Sequence, residues 1–265
     1  MATINANYTV LSYNINGYEI IHPIKEKSDR ARYIMVTDDP TLTDPSGSWE
    51  IVVDDKLSGS TFDKCYQIRF NPFKYTDDDI VLRIDGSIGI NKSLDPIIDK
   101  FIDGKYDMCI MLHPTRKTLF EEYSVWVNTR QYSVDQANAV LGFLAQGEGY
   151  PVNDYKGLCQ GGFQIYRNDR INNDANRMIY TFLKYLGDRT TEIERVDQTI
   201  TSFVLQKYFG KANLMFVDQR MIQSDFLTLY KHHSEDAYNK MDVKDFTEPY
   251  WLNKRIHNQI RPQDL

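Results

Sequence analysis

Acids and arginines set at the ends of apolar runs are the residues of this chain whose types and spacing could do chemistry. Asp38, Asp85 and Asp197, with Arg69, Arg83 and Arg116, form that set. Carboxylates at strand ends can hold a metal and guanidinium groups can hold phosphate, so the set suits a metal–diphosphate ligand. Asp85 is the sharpest of them. It closes the run Ile80–Ile84, and Gly86-Ser87 follow before the chain resumes as Ile88-Gly89-Ile90. Ligands of open α/β sheets collect at the carboxyl ends of such strands, and Gly86 would let backbone or ligand approach closely. An ordinary Asp-Gly turn would leave the same trace.

The elements that must position these residues share one design. Tyr8–Tyr13 ends at Asn14, Tyr33–Thr37 at Asp38-Asp39, Glu50–Val53 at Asp54-Asp55, and Asp107–Leu112 at His113-Pro114. Apolar runs without alternation predict strands covered on both faces, as in a parallel sheet. Helices separate them. Ser93–Ile102 has Pro96 in its first turn and Gly104 beyond its end. Ser133-Val134-Asp135-Gln136 has capping-box spacing and opens a helix to about Gly147. Ile179, Phe182, Leu183 and Leu186 form one apolar helical stripe, and Val196, Ile200, Phe203 and Val204 another. Between the last two helix pairs, Gly161-Gly162 interrupt a strand, which marks a bulge or the close approach of a ligand.

At 265 residues and 42% hydrophobic, the chain suits one globular domain with an appendage. We place the domain at residues 1–233 and the appendage, polar and charged, at 234–265. A net charge of −6 offers no basic field for nucleic acid. Three dispersed cysteines form no C-x-x-C pair, which argues against a zinc ribbon and a disulfide framework. No apolar stretch approaches the roughly 18 residues of a membrane span. The N-terminus has no signal pattern, so the expected location is the cytoplasm. Lys254-Arg255 and Arg261 give only a faint basis for peripheral membrane association.

Several enzyme classes lose their support. The chain has no G-x-x-x-x-G-K-[ST], no G-x-G-x-x-G after its first strand, no G-x-S-x-G and no H-E-x-x-H. What it does have is a resemblance. Lys64-Cys65-Tyr66-Gln67-Ile68-Arg69-Phe70-Asn71-Pro72, then Ile84-Asp85-Gly86-Ser87, then Leu112-His113-Pro114-Thr115-Arg116, resemble GT-A-fold glycosyltransferases. Gly161-Gly162-Phe163 and Arg195-Val196-Asp197-Gln198 complete the pattern in order. More narrowly, the chain is similar to the bacterial and plant polysaccharide glycosyltransferase family once known only as a domain of unknown function.

The resemblance implies a GT-A-type (Rossmann-like) α/β fold with a mixed, mainly parallel central sheet flanked by helices. It implies transfer of a sugar from a nucleoside diphosphate donor, UDP-linked by expectation, to a glycan acceptor in surface polysaccharide biosynthesis. Asp85 would stand where such enzymes begin an Asp-x-Asp motif for Mn2+ or Mg2+, with Ser87 in place of the second acid. His232 or His233 could complete a metal site, or Arg69, Arg83 and Arg116 could stabilise the diphosphate without metal. Asp197 would be the general base, with Gln198 beside donor or acceptor. Asn14 and Asp38 would lie on the nucleotide side, Gly161 and Gly162 would leave room for the sugar, and His113 and Arg116 would lie on the acceptor side. Two alternatives stay open: a metal-dependent hydrolase, and a non-catalytic nucleotide-sugar- or glycan-binding module.

Overall fold

The computed structural model describes residues 7–113, 116, 118–129, 133–150, 158–189, 197–232 and 236. The expected appendage at 234–265 therefore lies outside the described residues, apart from Asp236. Within them the chain forms an α/β fold around one seven-stranded sheet. The strands β1 (Tyr8–Asn14), β2 (Ala31–Thr37), β3 (Glu50–Val53), β4 (Ile80–Ile84), β6 (Met108–Leu112), β7 (Cys159–Arg167) and β8 (Leu214–Asp218) line up as β3-β2-β1-β4-β7-β6-β8. All five apolar runs read from the sequence enter this one sheet. Only β7 runs antiparallel to its neighbours, β4 and β6. A small antiparallel pair, β5 (Ile88–Ile90) with β9 (Leu227–Leu229), stands beyond the end of β4.

The unbroken apolar runs have the cause that their sequence implies. All five residues of β4 and all five of β6 are buried, because both faces of the sheet are covered. On one face Leu82, Cys109 and Ile165 pack with Ile97, Ile98 and Phe101 of α2 (Asp95–Asp103). On the other, Leu11, Ile34 and Val81 meet Ile68 of α1 (Thr61–Arg69). Further along that face, Ile110 and Tyr166 meet Ala175 of α5 (Arg170–Arg189) and Leu205 of α6 (Asp197–Tyr208). Pairs such as Val81 and Leu82 thus divide between the two cores, as alternation along a strand requires.

Helix starts follow their caps. Ser60 and Asp63 form a capping box at α1, and Thr118 with Glu121 does the same for α3 (Leu119–Asn128). The Ser133–Gln136 box opens α4 (Val134–Gly142), as its spacing predicts, and a π-helical turn continues it to Gly147. Pro96 lies in the first turn of α2, with Gly104 at its C-cap. The described part of the second apolar stripe lies on α6, where Ile200, Phe203 and Val204 are buried beside Ile179 and Leu183. Val196 lies outside the described residues.

Two phenylalanines separate core from surface experimentally. Phe101 is fully buried under the sheet, whereas Phe120 is 52% exposed. Urea unfolding of Phe101→Ala is expected to show a loss of about 3–5 kcal/mol. Phe120→Ala is expected to stay within about 0.5 kcal/mol of wild type.

Candidate functional site

A cleft of about 550 Å³ opens at the carboxyl end of the sheet, lined by Tyr13, Arg69, Asp85, Gly161, Asp197 and Gln198 among others. Its place follows from the strand order. From β1 the chain winds one way to β2 and β3, while β4 lies on β1's other side. The crevice at such a switch point is where open α/β sheets take ligands. A side pocket of about 130 Å³ adjoins it, between Asn14, Glu19, Gly86, Ser87 and His232.

Asp85 is set by a polar chain running through the sheet. Arg83, in mid-strand β4, is fully buried and directly opposite Gln164 of β7. Its Nη1 donates to Asp85 Oδ1 at 2.7 Å, and Nη2 donates to Gln164 Oε1 at 2.8 Å. The Tyr166 hydroxyl donates to that same Gln164 oxygen at 2.6 Å. From the cleft side, the Tyr13 hydroxyl donates to Asp85 Oδ1 at 2.9 Å. Burial works against the Asp85 carboxylate, but the Arg83 and Arg69 charges outweigh it and hold Asp85 below the ordinary carboxylate range. Gly86 must be small, since a Cβ there would stand 2.6 Å from the Tyr13 carbonyl oxygen.

The second ion pair crosses the cleft. Arg69, from the last turn of α1, places Nη1 2.8 Å from Asp197 Oδ2 at the start of α6. Burial alone would lower the guanidinium, but Asp197, Tyr13 and Asp85 together raise it well above its usual value. The rings of Tyr66 and Phe70 lie 5.9 and 5.6 Å from Arg69 Cζ. The guanidinium rests across Gly161 so closely that a Cβ would meet Nη2 at 1.9 Å. That crowding explains the glycine. The pair also sits where the β6–β7 register shifts, between Ile110 and Met111, so the bulge reading of Gly161-Gly162 holds along with a close approach.

The structure thus brings Asn14, Arg69, Asp85, Ser87, Gly161, Gly162, Asp197, Gln198 and His232 to the cleft or its side pocket. Four others it places elsewhere. Asp38 accepts from Lys64 Nζ at 2.6 Å and from the Asn16 backbone at 2.8 Å, which ties the loop after β1 to α1. Arg83 lies behind Asp85. Arg116 pairs with Glu122 at 2.7 Å, and its backbone N–H donates to His113 Nδ1 at 3.0 Å. Glu122 accepts from Trp126 Nε1 at 2.6 Å, so His113 and Arg116 support a cleft-lining tryptophan without themselves lining the cleft. His233, Pro114 and Arg195 lie outside the described residues.

Sequence reading missed Tyr13, Gln164, Trp126 and Glu19. Gln164 had a signal, a polar residue inside the apolar run Phe163–Ile165. Glu19 had none. It reaches the side pocket because Asn14 grips its backbone from both sides, donating to Glu19 O at 2.7 Å and accepting from Glu19 N at 3.1 Å. Its carboxylate contacts His232 Nδ1 at 2.5 Å.

The donor set for a divalent metal is incomplete as these side chains stand. Asp85 Oδ1 already accepts two hydrogen bonds, and Ser87 supplies only a hydroxyl. Among the described residues no three His, Cys, Asp or Glu side chains converge closely enough to hold an ion. Also among them, no helix is long and apolar enough to cross a membrane. Neither a family model nor a curated protein matches the chain.

Gly161→Ala is expected to cost about 1–3 kcal/mol in urea unfolding, because the buried guanidinium must move. In an Arg69→Ala background that cost should fall below about 1 kcal/mol, the coupling being read from the double-mutant cycle. Asp85 generates a pH prediction. Its depressed folded pKa means that its contribution is complete above about pH 4 and is lost as pH falls through the folded value. Asp85→Asn should therefore lose stability less steeply than wild type below about pH 4, measured as urea midpoints against pH.

Proposed function

We propose that the protein is a glycosyltransferase of GT-A type, moving a sugar from a nucleoside diphosphate donor, UDP-linked by preference, to a glycan acceptor. The observation that carries this reading is the convergence of Asp85, Arg69 and Asp197 in one cleft at the sheet's switch point. The mixed, mainly parallel sheet is compatible with it. A cleft of about 550 Å³ is of a size for a nucleotide sugar.

In this reading the donor lies over the carboxyl ends of β1 and β4, its diphosphate towards Arg69. The acceptor approaches along Trp126 and Gln198, which share the cleft wall with Asp197. Asp197 takes the proton of the acceptor hydroxyl as that oxygen attacks the anomeric carbon and the bond to the nucleoside diphosphate breaks. The electron pair of the broken bond leaves on the diphosphate, where a guanidinium offsets the growing charge. Arg83 and Tyr13 orient Asp85 and touch no reacting atom. Surface polysaccharide biosynthesis is the setting that the sequence resemblance suggests for this reaction.

One observation favours a second reading. Asp85 pairs with Arg83 and Asp197 with Arg69, which leaves the cleft floor close to neutral. A non-catalytic glycan-binding module would have use for such a floor. Nucleotides separate the two. The transferase reading expects one of UDP, GDP, CMP or ADP to raise the melting temperature by about 5 °C or more at a hundredfold excess over Kd. It further expects Asp197→Asn to lower sugar transfer about 10²- to 10⁴-fold in a nucleotide-release assay. Absence of any nucleotide shift, with stabilisation by oligosaccharides alone, would replace it with the binding module.

A further inference from the structure

Arg69 is the only arginine or lysine, among the described residues, that lines the cleft. Arg83 is sealed behind Asp85, Lys64 is committed to Asp38, and Arg116 to Glu122. Among the described residues, an anionic group that enters finds its counter-charge at Arg69. That guanidinium is built in. It is backed by two aromatic rings, laid on Gly161 and held by Asp197, with side-chain exposures of 9% and 13% for the two partners. Its Nε is buried and has no hydrogen-bond partner. A guanidinium has five donors in a planar fork, and one carboxylate oxygen at Nη1 leaves much of that capacity unused.

The acid expected to hold a metal is differently employed. Asp85 Oδ1 receives Arg83 and Tyr13, and Asp85 is the partner that neutralises a fully buried arginine. Drawing Asp85 onto a cation would weaken that pairing, and a buried charge without its partner is costly.

From this arrangement we propose that the ligand's diphosphate binds Arg69 without a divalent metal, displacing the Asp197 carboxylate from the guanidinium. The inference rests on the transferase reading and deepens it. Donor binding and release of the base become one event. Before the donor arrives, the Asp197 carboxylate is held against the Arg69 guanidinium and is not turned to an acceptor. Once phosphate oxygens occupy the guanidinium fork, the carboxylate is free to turn to the acceptor hydroxyl. The exchange is favourable in direction, because a diphosphate carries more charge than a carboxylate and offers oxygens at the spacing of the fork. It also orders the reaction, with donor first and acceptor second.

The consequence that a merely structural ion pair would not have is competition. Removing the Asp197 charge should strengthen anion binding even as it slows transfer. Calorimetric titration with UDP and with inorganic pyrophosphate, in EDTA and then in Mn2+, tests this on wild type, Asp197→Asn and Arg69→Ala/Asp197→Asn. The double variant removes both charges together, so no buried charge is left unpaired. The expected result is binding in EDTA, about tenfold tighter in Asp197→Asn and at least tenfold weaker in the double variant. Binding of UDP that appears only with Mn2+ overturns the inference and leaves the transferase reading standing. Affinity that is unchanged or weaker in Asp197→Asn overturns the displacement. Pyrophosphate binding with the expected pattern, but none by any nucleotide, supports the Arg69 anion site and removes the transferase reading. No binding of either ligand overturns the Arg69 anion site, and the transferase reading falls with it when GDP, CMP and ADP also give no melting shift.

Discussion

Arg83 sits in the middle of β4 with no exposure to solvent, and much of the surrounding design answers to it. A guanidinium cannot shed its proton at any ordinary pH, so its burial must be met by partners. Asp85 supplies the charge, while Gln164 supplies a neutral oxygen from the strand directly opposite. Truncating one member of such a buried pair typically costs about 3–5 kcal/mol. The antiparallel register of β7 against β4 is therefore tied to the polar site, since it is this register that sets Gln164 across from Arg83. The same requirement fixes where the Asp85 carboxylate points.

A second guanidinium works at a larger radius. Through Asp197, Arg69 links the end of α1 to the start of α6, and it crosses the bulge of β7 on its way. Two helices that are far apart in sequence are thereby locked over the carboxyl end of the sheet. Each acid in the cleft floor has a cation of its own, and neither pair is spare. In the proposed reaction the ligand exchanges partners within the Arg69–Asp197 pair, which would couple its binding to the freeing of a carboxylate. Support for the cleft wall is layered in the same way, with His113, Arg116 and Glu122 standing in line behind Trp126.

The architecture was legible because burial on both faces leaves unbroken apolar runs. All five such runs became strands of one sheet, and their polar ends gather at its carboxyl edge. The Ser133–Gln136 cap was legible for a local reason, since the two side chains satisfy donors within one turn, and the boxes at Ser60 and Thr118, which sequence reading missed, have the same spacing. Asp85, Arg69, Asp197 and the glycine pair were all found from the sequence and all reach the cleft. Asp38 shared the same pattern, an acid after an apolar strand, yet it serves a loop. Nothing in the adjoining residues separates the two cases, because the difference lies in which cation meets the carboxylate, Lys64 of α1 for Asp38 and Arg83 of β4 for Asp85.

Sequence alone determined six of the seven strands of the main sheet, with β8 missed, the starts of α2 and α4, the small residues at 161 and 162, and the inventory of charges available to a site. These depend on composition, periodicity and contacts a few residues long. Only the tertiary structure decided how those charges pair. Arg83 with Asp85 is a short-range pair, but its burial depends on Gln164, 81 residues further along. Arg69 with Asp197 spans the chain between α1 and α6. Glu19 becomes part of the site solely because Asn14 folds the loop after β1 back over Gly86. Whether an arginine faces a ligand or is consumed by the fold is a question of who its neighbours are in space, and packing of distant segments is what settles it.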